Sequence, residues 1–182
     1  TVAQIEAFGR RAIAVNRDLA VEPGVLSLLA ECANELAPVT CVVNNASLFE
    51  YDNVARFTPD HLLRAMRTNT AAPVMLARSL HEHLAHDAHG VVINLLDQKL
   101  ENPNPDFLSY TLSKAALKEA TRLLAIALAP KVRVVGIALS IPIGVWGPGV
   151  LAGLMNRCPW IILVAGGILG EVAGKMLVHD HF

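Results

Sequence analysis

At 182 residues, with 53% hydrophobic and 17% charged content, the chain can build one sizeable core and is short for two, so residues 1–182 are read as a single domain. Its net charge of −1 offers no basic field for nucleic acid, and no basic stretch followed by an apolar run opens the chain, so a cytoplasmic location without a signal peptide is expected. Cys32, Cys41 and Cys158 form no CxxC pair, which suits reduced thiols rather than a disulfide framework.

In chain order, residues 1–9 read as the end of an amphipathic helix (Val2, Ile5, Ala7, Phe8) stopped by Gly9, and residues 11–15 read as a short strand. Asp18 follows as a turn or cap residue. Residues 22–36 place Val25, Leu26, Leu28, Leu29, Cys32 and Leu36 at helical spacing, with Pro38 at the exit. The run 41–47, CVVNNAS, is an apolar strand ending in polar groups, and the loop after it exposes Phe49. Thr58 and Pro59 open the next helix as an N-cap with proline at N1, and Asn69 sits inside that helix at a cost in propensity. His83, His86 and His89 stand at helical spacing near its end, but Ala85 breaks any His-Glu-x-x-His pattern, so no metal is expected. The run 90–97, GVVINLLD, reads as a buried parallel strand ending in a carboxylate, Asp97. Turn residues at 102–106 deliver the chain to an alanine- and leucine-rich helix over 108–128, and residues 132–138 form another strand. The apolar run 160–170 is short of the ~20 residues of a membrane span and reads as a buried helix or strand.

Tyr110 and Lys114 are four residues apart and share one face of the 108–128 helix. A phenol of pKa about 10 is a poor proton shuttle at neutral pH, and an ammonium beside it favours the phenolate and makes the group a usable general acid or base. Asp97 ends a strand thirteen residues upstream (110 − 97), and Asn44, Asn45 and Ala46 end the strand before that, with Asn69 between them.

These motifs, in this order, resemble the short-chain dehydrogenase/reductase family. Asp97, where most members carry serine, and the run 44–49, NNASLF, narrow the likeness to the pteridine reductase branch. It covers residues 8–145 and implies an α/β fold, a partial Rossmann-like doubly wound sheet, mainly parallel, with helices on both faces. It implies hydride transfer from NADPH (or NADH) to a pterin-like or carbonyl substrate. Tyr110 would donate the proton, Lys114 would lower its pKa and hold the nicotinamide ribose, Asp97 would orient Tyr110 or the substrate, and Asn69 would anchor a relay water. Asp18 would contact the adenine, Asn45, Ala46 and Ser47 the cofactor, and Phe49, Ser47 and Asp97 the substrate; the plain alternative for Phe49 is a cover over a hydrophobic edge. A homodimer or homotetramer would form through the helices containing Asn69 and Tyr110, whose small residues Ala115, Ala116, Ala120, Ala125 and Ala127 permit close approach.

The sequence departs from the family at both ends. It holds no Gly-x-x-x-Gly-x-Gly for the pyrophosphate, it has Ala138, Leu139 and Ser140 where a proline-glycine turn is usual, and residues 146–182 diverge. An N-terminally truncated reductase domain is the expectation, one that by itself does not turn over NADPH and is prone to associate through an unpaired strand edge. The rival is a non-catalytic homologue acting as a helix-mediated interaction module.

Overall fold

The computed structural model describes residues 2–139. The turn after residue 139, the divergent tail 146–182 and the apolar run 160–170 lie outside the described residues. The core of the fold is a parallel sheet in the order β1 (Cys41–Asn44), β2 (Gly90–Asp97), β3 (Val132–Leu139). Register pairs set Val42 beside Val92 and Val92 beside Val134, and these three valines line one face.

Parallel neighbours need long crossovers, and here each crossover is helical. After a short α1 (Val2–Ala7) comes α2 (Glu22–Glu35), which begins with proline in its first turn and buries Val25 and Leu29 one turn apart. Between β1 and β2 lie α3 (Pro59–Met66) and α4 (Ala72–His83), joined by a π turn at Arg67–Ala71. Thr58 caps α3, its Oγ1 accepting the His61 N–H at 3.2 Å, as the sequence predicts. Between β2 and β3 runs α5 (Leu108–Ala127). Val25 and Leu29 of α2, Leu76, Ala77 and Leu80 of α4, and Val42, Val92, Val132 and Val134 of the sheet make one core, against which Leu124 and Leu128 pack. Gly90 lets the end of α4 pack close to β2, since a Cβ there would meet Leu84 Cδ1 at 2.7 Å and make that side chain shift.

The π turn has a sequence cause. Pro73, four residues beyond Asn69, has no N–H to give the Asn69 carbonyl, so the helical ladder cannot continue regularly there. The turn widens instead, and the Ala72 N–H reaches back to the Arg67 carbonyl. Such a bulge turns the Asn69 side chain inward, where it is 0% exposed.

One expected element does not form: residues 11–15 are not a strand. A strand exists only as a ladder, and this stretch is drawn along α2 instead. Arg11 Nη2 donates to the Glu35 carbonyl at 2.7 Å, and Arg17 pairs with Glu31. A helical layer on the sheet face that carries Cys41, Val43 and Ile137 is not among the described elements. No helix among the described residues is long and apolar enough to cross a membrane.

Candidate active site

The carboxyl end of β2 and the first turns of α5 meet at Asp97 and Tyr110. The Tyr110 hydroxyl donates to Asp97 Oδ2 at 2.6 Å, while Asp97 Oδ1 accepts the Lys99 N–H at 2.8 Å and so fixes the carboxylate. Lys114, one turn further along α5 and 4% exposed, donates from Nζ to the Leu95 carbonyl at 2.9 Å, and Nζ stands 5.8 Å from the centre of the Tyr110 ring. The three polar side chains converge, as the spacing predicts.

The electrostatics differ from the expectation that Lys114 lowers the Tyr110 pKa. Burial first, and the hydrogen bond and charge of Asp97 second, push the Tyr110 phenol above its ordinary 10.0. Burial pushes Lys114 below its ordinary 10.5, with the charge of Asp97 pulling the other way. At the phenol both causes act in the same direction, and the Asp97 carboxylate accepts the hydroxyl directly. Tyr110 is thereby held in its neutral, proton-bearing form.

Asn69 joins three elements. Its Oδ1 accepts the Leu48 N–H at 2.7 Å and the Ser47 hydroxyl at 3.2 Å; its Nδ2 donates to the Leu48 carbonyl at 3.0 Å and to Ser113 Oγ at 2.9 Å. Ser113 passes the chain on, donating to the Tyr110 carbonyl at 2.7 Å, and Thr70 donates to the Ser113 carbonyl at 2.8 Å. The loop after β1, the π turn and α5 are thus locked together by groups hidden from water.

Phe49 is 56% exposed, yet it meets the Tyr110 ring edge-on at 4.6 Å and lies flat on Phe107 at 4.1 Å with 14° between the planes. Ser47 is an exposed residue of the same loop, as are Asn45 and Ala46. Asp18 stands apart: its carboxylate accepts the Ala20 N–H at 2.8 Å and closes a turn, which is the plain reading of that residue. Its neighbour Leu19 nevertheless lines, with Asn44, Asn45, Ala46 and Thr68, a hollow of about 200 Å³ at the end of β1.

Sequence reasoning missed Asp52. This carboxylate, 1% exposed, accepts the Ser109 N–H at 3.1 and 3.2 Å and the Ser109 hydroxyl at 2.5 Å, and its carbonyl accepts the Phe107 N–H at 2.7 Å. It is the N-terminal cap of α5, delivered from a different loop, and it sits where a negative charge suits the helix dipole. The only signal in the sequence was the want of a capping residue just before Leu108; nothing local names the supplier. A second missed feature is the buried chain in which Asn44 Nδ2 donates to Asn94 Oδ1 and Asn94 Nδ2 to Thr121 Oγ1, both at 2.8 Å. The first link follows from the register pair Asn44–Asn94.

The chain is similar in sequence and fold to known reductases. The solved structure of FolM alternative dihydrofolate reductase 1 from Brucella suis, in complex with NADP, is 39% identical with a TM-score of 0.70 over 75% of this chain and 57% of that one. Dihydromonapterin reductase of Enterobacter is 28% identical over 132 residues, 71% of this chain and 55% of its own length. Hydroxynaphthalene reductase of Aspergillus fumigatus is 27% identical over 124 residues, 68% of this chain and 45% of its own length. The chain therefore spans about half the length of the curated relatives it matches. Residues 1–142, most of the chain, match the family described as short chain dehydrogenase, and the chain belongs to that short-chain dehydrogenase/reductase family, near its pteridine reductase branch.

Proposed function

We propose that residues 2–139 carry the proton-transfer and substrate side of an NADPH- or NADH-dependent reductase acting on a pterin-like C=N or a carbonyl substrate. The observation that carries this reading is the convergence of Tyr110, Asp97 and Lys114 beside an exposed aromatic ring, Phe49, at the carboxyl end of a parallel strand. The hollow at the end of β1 suits a nucleotide, since Leu19, Val43, Ala46 and Leu76 give apolar walls for a flat base and Asn45 a polar edge. Asp18, Asn45, Ala46 and Ser47, with Tyr110 and Lys114, would hold the nicotinamide nucleotide. When bound, the reduced nicotinamide supplies a hydride.

The chain's own residues do the rest. Tyr110, neutral, gives its proton to the substrate atom that gains electrons. Asp97 orients that hydroxyl and offers the substrate a second polar contact, and Lys114, buried beside the ring, holds the ribose and offsets the negative charge that the departing proton leaves on the phenolate. Asn69 positions the loop with Ser47 and Phe49, and Phe49 with Ser47 contacts the substrate. The intact buried network argues against a relic that serves only as an interaction module. A cytoplasmic homodimer or homotetramer belongs to the same reading: Leu112, Leu123 and Ile126 of α5 are 44%, 60% and 79% exposed, a large apolar content for a helix meant to face water.

Paired with a glycine-rich phosphate cradle, these residues are expected to reduce a pterin with NADPH, and Tyr110→Phe to lower turnover roughly 10²- to 10⁴-fold. A variant that keeps most of its turnover contradicts the role. The 182 residues alone are expected to show no NADPH binding in calorimetric titration, and low-micromolar affinity would show that a Gly-x-x-x-Gly-x-Gly turn is dispensable.

A further inference from the structure

The Tyr110 hydroxyl meets Asp97 only if the first turn of α5 is held in place, and that turn begins abruptly. Phe107, just before it, has a left-handed backbone, with φ 57° and ψ 47°, a conformation that a residue with a Cβ keeps only when its surroundings impose it. Its apolar side chain caps nothing, and the opening N–H groups of a helix have no partner inside the helix. Here three consecutive N–H groups end on one residue of a different loop. The Asp52 carbonyl accepts the Phe107 N–H at 2.7 Å and the Leu108 N–H at 3.4 Å, and the Asp52 carboxylate accepts the Ser109 N–H at 3.1 and 3.2 Å. The Ser109 hydroxyl donates to the same carboxylate at 2.5 Å.

Tyr110 is the next residue. The second turn of α5 has its own ties: Ser113 to Asn69, and Lys114 to the Leu95 carbonyl. Among the described residues, only Asp52 takes the N–H groups of 107–109. The hollow that Tyr110 and Asp52 share with Leu48, His61 and Ala65 is water-sized at about 10 Å³, which leaves little slack between the two residues. A misplacement of about 1 Å at a reacting group can cost on the order of 10²-fold in rate, so the residue that fixes this turn bears on the chemistry without touching it.

We propose that Asp52 is a positioning residue for the proton donor: by fixing the first turn of α5 it sets the contact between the Tyr110 hydroxyl and Asp97. It acts by placement and not by its charge on the phenol, whose pKa is raised by burial and by Asp97. The inference rests on the reductase reading and adds to it a residue from the loop that carries Ser47 and Phe49.

The test is carbon NMR of the 182-residue chain labelled at the tyrosine Cζ, a resonance that reports whether the hydroxyl donates to a carboxylate. Tyr110→Phe identifies the Tyr110 line, because Tyr51 is the only other tyrosine. Asp52→Ala is expected to move that line towards its position in Asp97→Asn, where no carboxylate remains to accept the hydroxyl. Asp52→Asn is expected to leave it in place, because an amide still accepts the Ser109 N–H and can donate to the Ser109 hydroxyl. Val25→Ala loosens the core away from the start of α5 and is expected to leave it in place too. Should Asp52→Ala fail to fold, Ser109→Ala decides instead, with a smaller movement expected in the same direction. An unmoved line in the deciding variant overturns the proposal. So does a movement in Asp52→Asn or in Val25→Ala as large as that in the deciding variant. Each of these results leaves the reductase reading standing, and that reading fails separately, if Tyr110→Phe leaves turnover unchanged.

Discussion

Two irregular stretches, one after β1 and one before α2, have their polar ties in different surroundings. The loop after β1, residues 45–58, is held by groups out of water: Asn69, 0% exposed, bonds both the N–H and the carbonyl of Leu48, and Asp52, 1% exposed, caps α5. The stretch before α2, residues 8–21, has its side-chain polar ties in water: Arg17 and Glu31 pair at 37% and 36% exposure, and Arg11 reaches the end of α2 from the surface. Neither stretch has repeating structure, so secondary structure does not tell them apart. What separates them is the dielectric around their partners, because a bond that water can replace contributes little and one that water cannot reach is costly to break. The well-tied stretch carries Ser47 and Phe49, and the loosely tied one carries Asp18.

The largest expected effect lies in the buried network. Asn69→Ala leaves the Leu48 N–H and carbonyl and the Ser113 hydroxyl without their partner, and is expected to cost about 2–4 kcal/mol by chemical denaturation. A loss below about 1 kcal/mol, within the range of surface contacts, would break the contrast between the two stretches.

A single type of bond sharpens the contrast further. The sequence has two tyrosines, and each hydroxyl donates to an aspartate: Tyr51 to Asp106 at the surface, Tyr110 to Asp97 in the interior. Burial and the Asp97 charge raise the Tyr110 pKa, so the folded protein keeps this proton more tightly than the unfolded chain does. The corresponding stability is whole below pH about 10 and is lost as pH rises beyond it. Alkaline titration followed by phenolate absorbance should show one ionisation well above 10 that vanishes in Tyr110→Phe. Asp97→Asn removes the negative charge and should move that ionisation down; no downward movement would mean that Asp97 does not act on the phenol.

The parts of the molecule legible in the sequence are those with local causes. The α3 start follows from Thr58 and Pro59, and the shared face of Tyr110 and Lys114 from their four-residue step, whereas Pro73 explains the turn at Arg67–Ala71 only once the structure is seen. The direction of the Tyr110 shift was not legible, because it depends first on how deeply the phenol is buried and then on the carboxylate that accepts its hydroxyl, and spacing along a helix gives neither. Asp52 was invisible for a related reason, since it lies 57 residues from the Ser109 it caps. The false strand at 11–15 shows the converse: apolar composition favours a strand, but the ladder partner decides.

The smallest effect is expected at Arg17, and it decides whether the stretch before α2 is loose or only irregular. Arg17→Ala removes a contact between two side chains that are each more than a third exposed, where side-chain entropy and salt screening offset most of the attraction. The change should stay within about 0.5 kcal/mol and shrink further in molar salt. Leu19 of the same stretch packs against the core through apolar contact and has no such dependence, so Leu19→Ala should cost more than Arg17→Ala at every ionic strength. If Arg17→Ala proved the costlier of the two, the pairing of Arg17 with Glu31 would be fixing the backbone around Asp18, and that stretch would be as firmly built as the loop that carries Phe49.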